Sequence, residues 1–388
     1  MIGRKPMIRR RQIFAVYGAG ILQGAAFVLV PSLGKILEGP PYRVSATAYG
    51  VLYFPEIVGA VIGAFAAGRL QRTAGSGALL RAGLIANLVG MALLALAAFT
   101  SGPIAYAAIL AETLCLGLGF GLTLATLNPY AALLFPRTPT TAITLLNALI
   151  GAATALAPLA LDACRRVGSW GLLPLALLAG FAALIATSPP HPASAAAAGD
   201  GPARPMSPAM WPFALAVLLY AIAEGSFSSW AQIYVAHVGG AAMSRAAFAL
   251  SSFWAGLTLL RVLLGLVPEG GGMRRALFLV SALGIGASFV LLSRLGSVDG
   301  LIGAYAIAGA SCSIYYPYAM AFGLAAWPAS SVGFAGLLVA ALMIGEGIGS
   351  LAPGALQRLI ALPTIYLAAS LLALPLLYFA WRLPRRRS

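Results

Sequence analysis

Long apolar stretches with few polar interruptions run along the whole chain and dominate its hydrophobic pattern. Each is about 20 residues long, the length that an α-helix needs to cross a hydrocarbon core of about 30 Å. Runs such as ALLALAAF do not alternate between apolar and polar positions, as the strands of a membrane β-barrel would. The pattern therefore predicts twelve membrane-spanning helices, at 13–37, 49–68, 78–99, 104–127, 140–162, 170–187, 211–236, 246–267, 275–294, 300–323, 331–356 and 361–381.

Composition supports the same class of protein. Of the 388 residues, 61% are hydrophobic and only 9% are charged, whereas a soluble domain carries roughly 25% charged residues. Helices are the expected spanning form because each one satisfies its own backbone hydrogen bonds. The sequence thus predicts an all-α polytopic membrane protein.

A break in hydrophobicity divides the chain near its middle. The stretch TSPPHPASAAAAGDGPARPMSPA, at 187–209, is rich in Pro, Ala, Gly and Ser, which is typical of a flexible linker. We expect an N-terminal six-helix bundle at 1–186, a cytoplasmic linker at 187–209 and a C-terminal six-helix bundle at 210–388.

Landmarks recur between the two halves at nearly constant offsets. Gly59, Gly68, Gly75 and Leu80 recur 197 positions later, Gly121, Pro129 and Tyr130 recur 188 positions later, and Leu156-Ala157-Pro158 recurs 195 positions later. The matches fall on the second and eighth, fourth and tenth, and fifth and eleventh predicted helices. This indicates two pseudo-symmetric bundles, and parallel repeats of this kind place a substrate site near the middle of the membrane.

Lysine and arginine predict the orientation. Sixteen of them, from Arg4 to Arg387, fall on the side of the N-terminus, and seven, including Lys35, fall on the other side. Cytoplasmic loops carry the excess of basic residues, so we expect both termini in the cytoplasm and the protein in the cytoplasmic (inner) membrane. The +15 net charge is dispersed over loop ends, which favours contact with the lipid bilayer over binding to nucleic acid.

Several chemistries are not supported by the sequence. The cysteines Cys115, Cys164 and Cys312 are dispersed, and His191 and His237 lie far apart, so no disulfide framework or metal site is predicted. The chain has no phosphate-binding loop of the ATPase type and no grouping of catalytic residues. We therefore expect neither an enzyme nor a bound cofactor, and a proton gradient is the expected energy source.

The segment GRLQRTAGSGALL, between the second and third predicted helices, resembles the hallmark loop of the major facilitator superfamily. Gly68, Leu70 and Gly75 match that loop, whereas Arg72 stands where an acidic residue is usual. The resemblance implies a secondary transporter with two six-helix bundles, in which this segment is the gating loop.

Two further segments resemble the fucose-permease-like branch of sugar–proton symporters. They are YAIAEGSFSSWAQIY in the seventh helix and GLGFGLTLATLNPYAALLFP after Glu112 in the fourth. That branch often carries an acidic residue in the first helix, where this chain has Gln23. The resemblance implies that the first, fourth, seventh and tenth helices line the cavity.

Charged side chains within the predicted spans are the leading functional candidates. A charge at the centre of the bilayer costs about 2.5–3.5 kcal/mol on the insertion scale, so such residues face the protein interior or water. Four carboxyls and one guanidinium cannot all neutralise one another. The remaining carboxyls must meet water or hold a proton, which is the chemistry of proton coupling. The candidates are Glu56, Glu112, Glu224, Arg261 and Glu346.

Each of these charges also has a structural interpretation. Glu224 and Glu112 are candidates for a substrate or proton site, and each could instead tie its helix to neighbouring polar groups. A gate, a structural role and coupling are all open for Glu56. The glycines around Glu346 allow close approach of a ligand or of another helix. Arg261 could reach the interface, pair with a glutamate or hold an anionic substrate.

Uncharged polar and aromatic residues complete the predicted substrate pocket. Amides within spans could bind substrate hydroxyls or hold helices together, and aromatic rings could stack on a sugar or belong to the interfacial belt. The candidates are Gln23, Asn128, Asn147, Tyr220, Trp230, Gln232 and Tyr316.

The functional hypothesis is a monomeric secondary transporter of a small molecule. The first alternative is proton-coupled symport that imports a sugar-like or other small polar solute. The second is export of drugs or metabolites by proton antiport. A membrane enzyme or non-transporting receptor is the third class, and no residue grouping supports it.

Overall fold

The computed structural model describes residues 4–135, 139–187, 207–265, 271–327 and 331–383, and within these ranges the secondary structure is helical without strands. Most of the predicted linker, and with it His191, lies outside the described residues. The helices of the first half are α1 Arg4–Phe27, α2 Leu29–Glu38, α3 Ala46–Val51, α4 Tyr53–Ala98, α5 Gly102–Leu134, α6 Pro139–Val167 and α7 Leu172–Thr187. Those of the second half are α8 Trp211–Val238, α9 Met243–Gly265, α10 Gly271–Arg294, α11 Val298–Cys312, α12 Tyr315–Ala326, α13 Ser331–Leu356, α14 Leu362–Ala369 and α15 Ala373–Arg382.

Eleven segments of the described chain are long and apolar enough to cross a membrane. The predicted span at 170–187 forms α7, an apolar helix of 16 residues, which is about 24 Å long at 1.5 Å per residue. The prediction of an all-α polytopic membrane protein is confirmed.

The helix α4 contains two predicted spans and the segment between them. Residues 56 and 87 are 31 positions apart, which would separate them by about 46 Å in a straight helix. Both nevertheless lie against the same turn of α5. Gly117 is so close to the carbonyl of Glu56, and Gly119 to the side chain of Asn87, that a Cβ at either glycine would overlap these atoms. The chain therefore reverses within α4.

The reversal falls where the sequence predicts a loop. Gly63 and Gly83 lie on either side of it and both contact α5 close to Gly121 and Thr123. The segment between the two predicted spans is itself helical, and α4 runs from Tyr53 to Ala98. The role of this segment as the gating loop stays a prediction. The side chains of the predicted gating loop, those of Gly68, Leu70, Arg72 and Gly75, lie outside the described residues.

The helices form two compact units. The first consists of Met1–Val30, Gly39–Arg43 and Leu52–Asp200, and the second of Pro31–Glu38, Val44–Val51 and Gly201–Ser388. The predicted domain limits stay a prediction, since most of the linker is not described. No pattern in the sequence indicated that 31–38 and 44–51 pack with the second unit.

Hydrogen bonds explain why 44–51 belongs to the second unit. The Tyr49 hydroxyl donates to the carbonyl of Ser229 (2.9 Å), and the Thr47 hydroxyl donates to the carbonyl of Gly354 (3.1 Å). The ring of Tyr49 also meets Trp230 edge to face, with centroids 5.4 Å apart. These contacts give the two hydroxyls hydrogen-bond acceptors within the second unit.

Glycines bring α4 and α5 into backbone contact in the first unit. A Cβ at Gly59 would overlap the carbonyl oxygen of Leu114 on α5. A Cβ at Gly121 on α5 would lie 2.6 Å from the carbonyl oxygen of Ala60 on α4. Small residues at such crossings allow close approach of helices within a membrane.

The matching glycines make the same kind of contact in the second unit. A Cβ at Gly256 on α9 would overlap the carbonyl oxygen of Ala306 on α11, and one at Gly309 on α11 would overlap that of Phe253 on α9. The repeated Leu-Ala-Pro landmark likewise places Pro158 inside α6 and Pro353 inside α13. The recurrent landmarks therefore occupy corresponding packing positions in the two units.

Candidate functional site

Glu224 lies in the middle of α8, the seventh span. It is 13 residues from Trp211, where the helix begins, or about 20 Å along the axis. Nearly every position around it on α8 is buried, and Glu224 itself is only 5% exposed. A carboxyl at this depth requires polar neighbours.

Those neighbours come from an interruption in the tenth span. The helix stops at Cys312 and resumes at Tyr315. Pro317 follows the break, and because it has no N–H to donate, it leaves the carbonyl of Ser313, four residues earlier, without its helical partner. The break leaves backbone acceptors available within the second unit.

Side chains from three other helices use these acceptors. Consecutive carbonyls at the break each accept one hydrogen bond: Ser311 from the Ser281 hydroxyl, Cys312 from the Tyr220 hydroxyl (2.9 Å) and Ser313 from Nε of Arg261 (2.9 Å). The break therefore fixes Tyr220 and Arg261 at the same level of the unit. The sequence hypothesis missed Ser313, and the signal that could have found it is the position of Pro317.

Five of the predicted residues gather around this break. Glu224 interacts electrostatically with the Arg261 guanidinium and the Tyr220 hydroxyl. Tyr316 is within the electrostatic reach of Arg261, Glu224 and Glu346. We give the name unit-2 polar cluster to these five residues, which are Tyr220 and Glu224 on α8, Arg261 on α9, Tyr316 on α12 and Glu346 on α13.

Close helix packing places Glu346 in the cluster. A Cβ at Gly225, next to Glu224, would overlap the carbonyl of Glu346, and a Cβ at Gly345 would overlap that of Leu218. Gly345, beside Glu346, thus allows α13 to approach α8. Close approach of another helix was one of the two roles predicted for the glycines around Glu346.

The cluster offers both kinds of hydrogen-bonding group. A guanidinium has five N–H donors, and the bond to Ser313 engages one nitrogen of Arg261. Arg261 is exposed and Glu346 is half-buried, whereas Glu224 is buried. The cluster can donate hydrogen bonds to a polar solute and accept hydrogen bonds from it, and its carboxyls can bind a proton.

Trp230 and Gln232 lie farther along α8, away from the cluster. Trp230 is fully buried, donates its indole N–H to the carbonyl of Ser350 (2.8 Å) and packs against Tyr49. Gln232 is also buried. In this arrangement Trp230 packs helices of the second unit together, and its predicted stacking on a solute stays a prediction.

Gln23 belongs to a buried amide cluster in the first unit. Its Oε1 accepts hydrogen bonds from the Asn87 amide and from the Thr123 hydroxyl (3.0 Å). Nε2 of Gln23 and Oδ1 of Asn87 are buried without a partner. Nε2 of Gln23 can donate a hydrogen bond and Oδ1 of Asn87 can accept one, so the two atoms together could bind a hydroxyl group, which both accepts and donates.

Asn128 and Asn147 form a separate pair. Nδ2 of Asn147 donates to Oδ1 of Asn128 (3.0 Å) and to the carbonyl of Ile143 (2.9 Å). Both amides are partly exposed. The pair joins α5 to α6, so the structural interpretation of these two amides is the one that the contacts favour.

The structure also brings together Glu56 and Glu112, which the sequence separates by more than fifty residues. Glu112 is completely buried, and neither of its carboxylate oxygens has a hydrogen-bond partner. Glu56 is half-buried on α4, and its charge acts on Glu112. We call these two residues the acid pair of the first unit.

Three solved structures are similar to this chain over nearly its whole length. The E. coli fucose:proton symporter aligns over 96% of this chain and 97% of its own, with 17% identity and a TM-score of 0.65. A nucleoside transporter aligns over 97% and 99%, with 12% identity and a TM-score of 0.76. A second structure of the fucose symporter, described as a major facilitator superfamily transporter in the outward conformation, aligns over 95% and 97%, with 17% identity and a TM-score of 0.64.

The chain has the major facilitator superfamily fold. The resemblance drawn from its motifs is thereby confirmed at the level of the fold. No family model matches the sequence, and no curated protein matches it.

Within the major facilitator superfamily fold, the two groups of charged residues lie on different helices of different units. The unit-2 polar cluster comes from the seventh, eighth, tenth and eleventh spans, and the acid pair from the second and fourth. The charged groups are therefore not repeated between the units, although the glycines that pack the helices are.

Proposed function

We propose that this protein is a secondary transporter that carries a small polar solute across the membrane by alternating access, in symport with protons. The observation that carries the proposal is the unit-2 polar cluster, which gathers two carboxyls, a guanidinium and two phenols within the membrane-spanning segments of the second unit. Holding such groups there is costly. A role in binding explains why they are present.

The chemistry of the cluster favours a solute rich in hydroxyl groups. Arg261 supplies donors, Glu224 supplies acceptors, and the tyrosines supply both a hydroxyl and an apolar ring face. Sugars and nucleosides combine hydroxyls with an apolar face, and they are what the names of two similar structures specify. A lipophilic drug would leave these polar groups without partners.

Protons are the proposed coupling ion because carboxyls in both units occupy the apolar interior. A carboxyl that gains a proton loses its charge, so it can pass between states in which its access to water differs. The name of the fucose:proton symporter is consistent with this choice.

Uptake into proteoliposomes tests the proposal. Vesicles containing the purified protein should accumulate a sugar or a nucleoside when the pH is lower outside, and a protonophore should abolish the accumulation. Protein-free vesicles are the control. Proton-driven extrusion of a lipophilic cation, without uptake of any sugar or nucleoside, would contradict the proposal and support the antiport exporter.

Thermal stabilisation identifies the solute beforehand. A ligand at a hundred times its Kd stabilises the folded protein by about 2.7 kcal/mol. Sugars and nucleosides should be screened on the detergent-solubilised protein, with Glu224→Gln as the comparison. A ligand of the unit-2 polar cluster should stabilise the native protein more than this variant.

A further inference from the structure

The short helices α2 and α3 pack with the second unit, although they continue spans that belong to the first. A helix break separates each of them from the rest of its span. The first break lies between Phe27 and Leu29, and the second lies between Val51 and Tyr53. Both breaks are close to the positions where the chain passes from one unit to the other. The ends of helices are positions where a hinge can absorb changes in backbone angles.

A close contact holds α2 against α8. A Cβ at Gly34 on α2 would lie 3.1 Å from two atoms of the Ile233 side chain on α8. Glu38 follows Gly34 by four residues, and His237 follows Ile233 by four residues, so each lies on the same face of its helix one turn farther along. The contact between the two helices therefore leads to a carboxyl group and an imidazole.

Glu38 and His237 are joined by a hydrogen bond between the two helices. Oε2 of Glu38 accepts from Nε2 of His237 (3.0 Å) and also from Nζ of Lys35 (3.1 Å), which lies on the same helix as Glu38. Because a carboxylate only accepts hydrogen bonds, Nε2 is a ring nitrogen that carries a hydrogen. The His237 side chain is 43% exposed, so its ring can exchange a proton with water.

Other titratable groups lie at this end of the second unit. The charged ones are Arg43, Arg245, Arg294, Asp299 and Arg358, and the phenols are Tyr49, Tyr234, Tyr305 and Tyr366. Arg245 and Asp299 pair with each other. Among the described residues, His237 and Lys35 are the side chains that act electrostatically on Glu38. The charge of His237 therefore acts directly on the bond between α2 and α8.

The other bonds that hold α3 on the second unit keep their charge state near neutral pH. They are donated by the hydroxyls of Tyr49 and Thr47, and a phenol loses its proton only near pH 10. An imidazole, in contrast, gains a charge between about pH 8 and about pH 5. A charged donor makes a stronger hydrogen bond to a carboxylate than a neutral one. The attachment of α2 to α8 should therefore strengthen as the pH falls.

We propose that Lys35, Glu38 and His237 form a pH-dependent latch, which holds α2 and α3 on the second unit when His237 is protonated. A proton from hydronium binds to Nδ1 of His237 while Nε2 keeps its bond to Glu38, and release returns this proton to water. Lys35 restrains the Glu38 carboxylate on α2 in both states. The latch itself does not depend on the proposed transport, whereas its control of opening at one side of the membrane does.

The reactivity of a cysteine on α3 measures how often the latch opens. Thr47 is half-buried and bonded to the carbonyl of Gly354, so Thr47→Cys should react only when α3 leaves the second unit. The detergent-solubilised protein, with its three cysteines replaced by serine, is treated with a thiol reagent at about pH 5.5 and about pH 8. The rate should rise about threefold at the higher pH, as expected for the loss of a partly exposed ion pair.

The effect of pH on the thiol itself is removed by a second cysteine. Ser297 is exposed in the connection before α11, so the rate for Ser297→Cys at each pH is the reference. All rates for Thr47→Cys are divided by this reference before they are compared.

Substitutions of the histidine identify the group that titrates. In His237→Gln, the relative rate should stay at the high value at both pH values, and in His237→Arg, which keeps a positive charge, it should stay low at both. Glu38→Gln should behave like His237→Gln and provides the test if that variant does not fold. His191→Gln is the matched control, since His191 is the other histidine of the chain, and it should keep the threefold rise.

Two results would overturn the latch. One is a relative rate that is equal at the two pH values in the chain with both histidines, and the other is a threefold rise that persists in both His237→Gln and Glu38→Gln.

Solute exchange at equal pH on both sides of a vesicle relates the latch to transport. His237→Gln should exchange solute faster than the native protein at about pH 5.5 and at the native rate at about pH 8. Equal exchange by the two proteins at both pH values would overturn the role of the latch in transport. Absence of transport by the native protein overturns the symport instead, and the labelling result is unaffected.

Discussion

At the residue scale, two buried glutamates have opposite surroundings. The carboxyl of Glu224 is within electrostatic reach of the Arg261 guanidinium and the Tyr220 hydroxyl, whereas neither carboxylate oxygen of Glu112 has a hydrogen-bond partner among the described residues. An attractive cation favours the charged form of a carboxyl, and a like charge favours the neutral form. These surroundings are consistent with the proposed binding role of Glu224.

Replacing Arg261 tests the binding role at this scale. Arg261→Gln removes the cation beside Glu224 and the Nε donor to Ser313, so the KM for the solute should rise about tenfold, which corresponds to about 1.4 kcal/mol. Initial rates of uptake over a range of solute concentrations measure the change.

Two further variants test why the KM changes in Arg261→Gln. Arg261→Lys keeps the charge but not the planar guanidinium, and it should recover part of the affinity. Arg245→Gln removes an exposed arginine that pairs with Asp299 near the start of α11 and should leave KM unchanged. An unaltered KM in Arg261→Gln would remove Arg261 from the solute site.

At the element scale, the same helix crossings carry different chemistry in the two units. Glycines join α4 to α5 and α9 to α11 through equivalent backbone contacts. The fourth span is one continuous helix, α5, whereas the tenth span is interrupted between α11 and α12. This interruption supplies the carbonyls that hold Tyr220 and Arg261. The glycine crossings are therefore repeated in the two units, whereas the polar site at the break in the tenth span is not.

The crossing of α9 and α11 depends on Gly309. A methyl group there would overlap the carbonyl of Phe253, so Gly309→Ala should destabilise the protein by about 1–3 kcal/mol, as overpacking does. The thermal midpoint in detergent measures the loss.

Gly303, on the same helix, is the matched control. A Cβ at Gly303 meets no atom within 4 Å. Because alanine is a better helix former than glycine by about 1 kcal/mol, Gly303→Ala should leave the midpoint unchanged or raise it. Equal midpoints for the two variants would show that the crossing tolerates a side chain.

Local sequence signals predicted some features of the elements and not others. The apolar runs located the spans because hydrophobic length is a local property. They did not predict that α4 reverses without leaving helical hydrogen bonding, or that α11 and α12 are separate helices. Both features depend on how glycines and Pro317 meet neighbouring helices.

At the scale of the whole molecule, the basic residues predict which side of the membrane the ends occupy. We propose that both termini are cytoplasmic, on the basis of the excess of lysine and arginine on that side. In a background with the three cysteines replaced by serine, Ser388→Cys should react with a membrane-impermeant thiol reagent only in inverted vesicles.

The control for this experiment lies in the connection between α10 and α11. Ser297 is exposed there, on the side predicted to be opposite to the termini, so Ser297→Cys should react in intact cells. The reverse labelling pattern would invert the proposed orientation.

The sequence by itself determined the class of the molecule. Backbone groups in a membrane must be satisfied within each helix, so span number, span length and the all-α architecture follow from apolar runs that can be read locally. The motifs in the predicted gating loop and in the seventh helix added the resemblance to the major facilitator superfamily, which the solved structures confirm for the fold.

Only the tertiary structure decided which polar groups meet. Which charged groups come within electrostatic reach of Glu224 depends on the rotation and register of packed helices. Backbone contacts at glycines such as Gly117 and Gly225 set that register. A hydrophobic pattern fixes how deep a side chain lies, but its partner is fixed by contacts between residues far apart in the chain.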